Sequence, residues 1–101
     1  MRMMLTASFP HEPFNSLVRA GTAGKILQDI LGQIKPEAAY FVEDDGKRCA
    51  VLFVEVADQS RIPSFAEPFF LKFNADCRFR IAMNADDLGK AGLDALGQRW
   101  K

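Results

Sequence analysis

Residues 1–9 alternate, with Met3, Leu5, Ala7 and Phe9 on one side and Arg2, Met4, Thr6 and Ser8 on the other, before Pro10 interrupts. A period of two marks a strand with one buried face, so a first strand is predicted here. Over residues 12–34 the period changes: Phe14, Leu17, Val18, Leu27, Ile30, Leu31 and Ile34 recur at helical spacing, and Lys35-Pro36 closes the run. This predicts one helix or two. Gly21 and Gly24 lie on the same stripe, where each costs about 1 kcal/mol against alanine in a helix. They let the helix approach a sheet closely, or they mark a break.

Residues 39–43, then Asp44-Asp45-Gly46-Lys47, then residues 48–56 read as a hairpin, because Asp-Gly supplies the positive φ angles of a type I′ turn. With Asp45 and Gly46 at its centre, Glu43 faces Arg48, Val42 faces Cys49 and Tyr40 faces Val51. One face then carries Ala50, Leu52, Val54 and Val56. The other carries Tyr40, Val42, Cys49, Val51, Phe53 and Glu55, and is also largely apolar. Ile62, Phe65, Ala66, Phe69 and Phe73 predict a further helix, with Ser64 and Glu67 spaced as a capping box. Pro63 suits a first turn, whereas Pro68 removes a backbone donor and predicts a kink or a start near Ser64. Residues 78–83 alternate as a fourth strand. Asn84 caps a last helix with Asp86 and Asp87 in its first turn, running on through Leu88, Leu93 and Leu96.

The order β-α-β-β-α-β with a C-terminal helix predicts an α+β, ferredoxin-like domain over residues 1–101. Right-handed crossovers put both main helices on one side of a four-stranded antiparallel sheet. Leu5, Leu52, Val54, Phe79 and Ile81 face Phe14, Ile30, Phe69 and Phe73. The opposite face holds Met4, Thr6, Tyr40, Val42, Val51 and Phe53, a larger apolar patch than monomers commonly leave exposed. Two such sheets packed face to face about a two-fold axis would bury it, so a homodimer is expected.

This arrangement resembles the dimeric α/β-barrel superfamily, whose small members share the element order and pack two sheets into a barrel. Lys35-Pro36-Glu37-Ala38-Ala39-Tyr40-Phe41, Ile62-Pro63 with Ala66-Glu67-Pro68, and Asn84-Ala85-Asp86-Asp87-Leu88 look like an uncharacterised bacterial family of such barrels. The resemblance implies the fold and the dimer, and brings no catalytic motif. The superfamily includes cofactor-free monooxygenases, lactone isomerases, dehalogenating and haem-handling enzymes and ligand-binding modules, so function has to come from the site.

Composition narrows the classes. The 101 residues are 49% hydrophobic and 26% charged, an ordinary globular balance. Lys plus Arg and Asp plus Glu both number 13, leaving no field to attract nucleic acid or an anionic membrane. Apolar runs such as residues 50–54 fall far short of the roughly 20 needed to span a bilayer, and no signal-peptide core opens the chain, so a cytoplasmic protein is expected. Cys49, Cys77 and the single His11 make neither a disulfide framework nor a metal shell, and both thiols are expected to be buried hydrophobes. No cofactor and no metal are expected.

The open face also carries the candidate chemistry. Thr6, Tyr40, Phe53, Glu55, Arg78 and Arg80 are candidate ligand-binding residues: an arginine to hold a carboxylate and a carboxylate poised by burial, among Phe53, Met4 and Val51. The plainer alternative is that Glu55, Arg78 and Arg80 form ion pairs at a dimer rim. His11, in Pro10-His11-Glu12-Pro13, has the chemistry of a general base or haem ligand, against a solvated loop residue. Glu43 and Arg48 read as a cross-strand surface pair, and Phe69, Phe70 and Phe73 as core. No G-x-S-x-G elbow occurs. Gly21-Thr22-Ala23-Gly24-Lys25 lacks the full phosphate-loop pattern and follows no strand. Two functions remain: a homodimeric module binding a small molecule or partner chain, or a cofactor-independent oxygenase or lactone isomerase. The second would use His11, Tyr40, Glu55 and Arg80 on a small aromatic or anionic substrate.

Overall fold

The N-terminal alternation forms β1 (Arg2–Ser8), and the structure, a computed structural model, describes residues 1–101. The first helical run divides into α1 (His11–Arg19) and α2 (Ala23–Ile34), with Gly21 at φ 76° between them. The break therefore falls at Gly21, while Gly24 lies inside α2 on its exposed side. The hairpin pairs β2 (Ala38–Asp44) with β3 (Lys47–Glu55). Its turn places Asp45 at φ 54° and Gly46 at φ 78°, which a residue without Cβ adopts freely. Glu43↔Arg48, Val42↔Cys49 and Tyr40↔Val51 are partners, as the turn chemistry predicts.

A 3-10 turn (Gln59–Arg61), capped by the Asp58 side chain accepting from Ser60 N, leads into α3 (Ile62–Phe73). No capping box forms at Ser64: the helix starts two residues earlier on the preceding turn, and the Ser64 hydroxyl donates back to Arg61 O. Nor does Pro68 end or delay the helix, which runs through it. β4 spans Asp76–Ile81, two residues earlier than its alternation suggests, because Asn74 in the left-handed region ends α3 and the chain pairs at once. Beyond it the expected single helix is two, α4 (Ala85–Gly89) and α5 (Leu93–Arg99), parted at Gly92 with φ 71°. Asn84 and Asp87 make a full capping box at α4.

The sheet order is β2-β3-β1-β4, every neighbouring pair antiparallel, and the fold is ferredoxin-like α+β. Helices α1 to α3 cover one face. Leu5, Leu52, Val54, Phe9, Phe69 and Phe73 are the largest fully buried side chains. Phe9 lies among Phe14, Phe69 and Phe73 with ring centroids 5.2, 6.0 and 5.1 Å away, so strand and helices share one aromatic cluster. No polar or charged residue is buried. Helices α4 and α5 bury nothing, and they extend the molecule to 59 × 28 × 19 Å.

Candidate functional site

The open face is a grid set by register. Across the strands from β2 to β4, one row reads Ala38, Phe53, Met4, Arg80; the next reads Tyr40, Val51, Thr6, Arg78; the third reads Val42, Cys49, Ser8, Asp76. Arg2 and Glu55 sit together at one end of the grid, Asp44 and Lys47 at the other. The first two rows run from apolar at the β2 edge to cationic at the β4 edge, while the third ends on the carboxylate of Asp76. Thr6 and Arg78 are direct neighbours, as are Met4 and Arg80. Tyr40 and Arg78 share a row but stand three strands apart, about 14 Å at the usual spacing. One sheet therefore brings the predicted binding residues onto one surface, with its aromatic and cationic ends separated.

Charge on this face is uneven. Glu55 is held by the amino group of Met1 at 2.5 Å, rather than by an arginine. Arg2 bridges Glu37 at 2.7 Å and Asp87 at 2.9 Å. Arg78 and Arg80 make no ion pair within the chain, and both are exposed. The Asp87 carboxyl is held below its usual value by the backbone amide of Asn84, then by Arg2. Thr6 and Arg78 border an open hollow of about 180 Å³ with Ser8, Asp44, Asp45, Lys47 and Asp76. A mixed-charge rim of this kind can hold a polar group but excludes no water.

His11 lies elsewhere. It opens α1 beside the hairpin, in a shallow depression of about 340 Å³ with Val42, Glu43, Gly46, Lys47 and Arg48. Glu12 follows it with extended φ −109°, ψ 140°, and accepts from the Ser16 hydroxyl at 2.9 Å and from Ser16 N at 2.8 Å, which together lower the Glu12 carboxyl. His11 adjoins the Ser8 end of β1 and Glu55 pairs with its Arg2 end. Six residues of strand, about 20 Å, separate the two.

The Glu43–Arg48 ion pair does not form. Glu43 accepts from Gly46 N at 2.6 Å, tightening the turn, while Arg48 donates to Asn15 Oδ1 at 2.8 Å and lies 4.4 Å over the Phe14 ring. Hydrogen-bonded and stacked inside the helix layer, Arg48 gains more than an exposed pair supplies. Cys49 is buried on the open face and Cys77 half-buried on the helix face. Burial pushes the Cys77 thiol up to about 11 and the Cys49 thiol up as well.

Two features escape sequence reading. Arg2 has open-face parity in β1, yet nothing in the sequence links it to Glu37 and Asp87. A second hollow of about 330 Å³, lined by Met1, Met3, Val56, Ala57, Asp58, Gln59, Ile62 and Ile81, opens where β1 begins and β3 and β4 end.

No family model matches the sequence, and no curated protein matches it. Among solved structures the chain is similar to the de novo designed protein Ferredog-Diesel, with a TM-score of 0.48 and 10% identity, covering 80% of this chain and 85% of that one.

Proposed function

We propose that the protein is a homodimeric binding module whose two open sheet faces enclose a site for a small anion with an apolar or aromatic body. The observation that carries this reading is the graded open face: Tyr40, Val51, Phe53 and Met4 beside Arg78 and Arg80, two cations that no carboxylate of the chain neutralises. An apolar surface of this extent gains free energy by leaving water, and a two-fold axis lets one patch cover its own copy. Stacking about a two-fold axis parallel to the strands would bring the β2 edge of one sheet over the β4 edge of its partner. The aromatic end then meets the cationic end, closing the 14 Å gap that a single sheet leaves. An arginine fork holds a carboxylate with two parallel hydrogen bonds, and the apolar rows take the rest of the ligand.

The oxygenase or isomerase alternative draws less support from this geometry, since its acid and base, His11 and Glu55, lie beside opposite ends of β1, about 20 Å apart. The test is light scattering with calorimetric titration of a panel of aromatic carboxylates. A dimer is expected, binding at least one of them, with Arg80→Ala or Arg78→Ala weakening it about ten- to a hundredfold, as loss of a charged hydrogen bond does. A protein that stays monomeric at high micromolar concentration overturns the reading. So does a dimer indifferent to both arginines and to every carboxylate.

A further inference from the structure

We infer that residues 83–101 form an arm that clasps a second copy of this chain, with α5 lying along the outer edge of that copy's β2. The inference deepens the dimer proposed above and rests on it. A compact chain of this length has a radius of gyration of about 13 Å. This one has 17.0 Å and a longest extent of 59 Å, because the arm leaves the body at the end of β4. Leu93 and Leu96 lie on one side of α5 and Trp100 ends the helix beside them, and all are exposed, Trp100 at 77%. Asp94, Gln98 and Lys101 occupy the other side. A seven-residue helix does not persist alone in water and needs a surface to pack on.

The arm's departure is built into the fold rather than left to a loose tail. Arg2 donates to Asp87 at 2.9 Å, Ala82 N donates to Arg2 O at 3.0 Å, and the Asn84–Asp87 capping box closes the first turn. These contacts fix where α4 starts against the sheet and leave its apolar Leu88 exposed.

Three observations commit the occupant to a second copy. The sheet face alone is modest: four strands at about 4.8 Å spacing and about 22 Å length give a flat footprint of about 400 Å², and an arm that packs on the partner enlarges the buried surface toward the roughly 800 Å² per partner of a standard interface. Each chain also carries a bare receptor. Phe41 of β2 is 53% exposed although it has helix-side parity, so neither the helices nor the sheet pairing covers it, whereas Tyr40 and Val42 face the partner sheet. β2 is an outer strand of the sheet, seven residues or about 24 Å long, which leaves room along it for the seven residues of α5, about 10 Å. Charge agrees at one end of the helix: Arg99 closes α5 and Lys101 follows it, while β2 runs into Glu43, Asp44 and Asp45. A two-fold axis then buries arm and receptor twice over.

Trp100 is the only tryptophan, so its emission reads the arm directly. The full chain is diluted through its dimer–monomer transition while tryptophan emission and light scattering are followed, alongside Leu93→Asp/Leu96→Asp and Phe41→Asp. The expected result is a dimer with shielded, blue-shifted Trp100 that becomes solvated as the dimer dissociates. Each variant should raise the dimer dissociation constant at least about tenfold and leave the circular dichroism of the body unchanged. A dimer whose Trp100 is solvated at every concentration, and whose dissociation the variants do not alter, overturns the clasp and leaves the sheet pairing standing. A monomer at all concentrations overturns both. Trp100 shielded independently of concentration places the arm on its own body and also overturns the clasp.

Discussion

Phe9 is the residue on which strand and helices converge, and its replacement tests the packing directly. It is 1% exposed and meets Phe14 of α1 at 5.2 Å and 71°, Phe73 of α3 at 5.1 Å and 74°, and Phe69 of α3 at 6.0 Å and 58°. Removing a buried phenylalanine to alanine costs about 3 to 5 kcal/mol, more where the surroundings cannot collapse. Here the neighbouring rings belong to two helices pinned on a strand, so Phe9→Ala is expected near 4 to 5 kcal/mol. A domain of this length has only about 5 to 15 kcal/mol in total. Phe9→Leu keeps most of the apolar volume but loses the edge-to-face geometry, which adds about 0.5 to 1.5 kcal/mol per pair, so it should cost about 1.5 to 3 kcal/mol. Urea unfolding followed by far-UV circular dichroism, at one fixed protein concentration because the proposed dimer would link stability to mass action, gives both values from the shift in midpoint. Leu71→Ala, at a position 79% exposed, serves as the control and should stay within about 0.5 kcal/mol. A Phe9→Ala cost under about 2 kcal/mol, or equal costs for alanine and leucine, would refute the aromatic cluster as the centre of the core.

Two glycines should respond with opposite signs: Gly46→Ala, at φ 78°, is expected to destabilise by about 1 to 2 kcal/mol, while Gly24→Ala, helical with open space around an added Cβ, should stabilise by about 0.5 to 1 kcal/mol. Thermal melts of the two variants check this, and a shared sign would contradict the backbone assignment. With its thiol raised from 9.0 to about 11, Cys77 carries about a hundredfold less thiolate near neutral pH than an ordinary cysteine. Ellman's reagent should therefore leave it untouched until denaturant is added, and rapid native labelling of Cys77 would count against its burial. The Asp87 carboxyl lies below its ordinary 3.8 in the folded chain, so near that value the unfolded state binds more protons. Its stabilisation is present above pH 3.8 and is lost as pH falls through the lowered folded value. Asp87→Asn should remove that part of the acid limb in pH-dependent melts, and a wild-type acid profile in the variant would dismiss the Arg2–Asp87–Asn84 contact.

The legible part of this chain is what repeats locally. Alternation in β1 and the Asp45-Gly46 turn fix the faces of Leu5, Leu52, Tyr40 and Val51, because a period of two and a two-residue turn leave one register. The errors come where two local signals compete. Ser64 and Glu67 have capping-box spacing, but Asp58 caps an earlier turn and the helix is already under way at Ile62. Residues 78–83 alternate, but strand pairing begins at Asp76 as soon as Asn74 turns the chain. Leu88, Leu93 and Leu96 suggested one helix, yet the left-handed Gly92 divides it. Long-range partners were out of reach. Arg48 turned to Phe14 and Asn15 instead of Glu43, and Arg2 to Glu37 and Asp87, because no spacing rule joins residues that only the fold makes neighbours.

The exposed apolar residues carry the functional argument further than any polar motif. Phe70, read from its spacing with Phe69 and Phe73 as core, is instead 41% exposed beside Leu71 on the solvent side of α3, and this exposure needs no partner, since scattered surface hydrophobes are ordinary. Tyr40 and Val42 differ, because their alternation is that of a buried sheet face, and so do Leu93 and Leu96, with Trp100 ending the helix beside them, because their spacing is that of a packed helix. Patterning of this kind costs solubility unless a surface meets it, and the single chain supplies none. An assembly that covers both sets at once also brings Arg78 and Arg80 against an apolar wall, where a carboxylate binds more tightly than in water. The proposed dimer, clasp and anion site thus depend on one assembly, which meets each of them along β2 or β4. Ligand affinity should accordingly fall with protein dilution in parallel with dimer content, and affinity that persists in the monomer would separate the site from the interface.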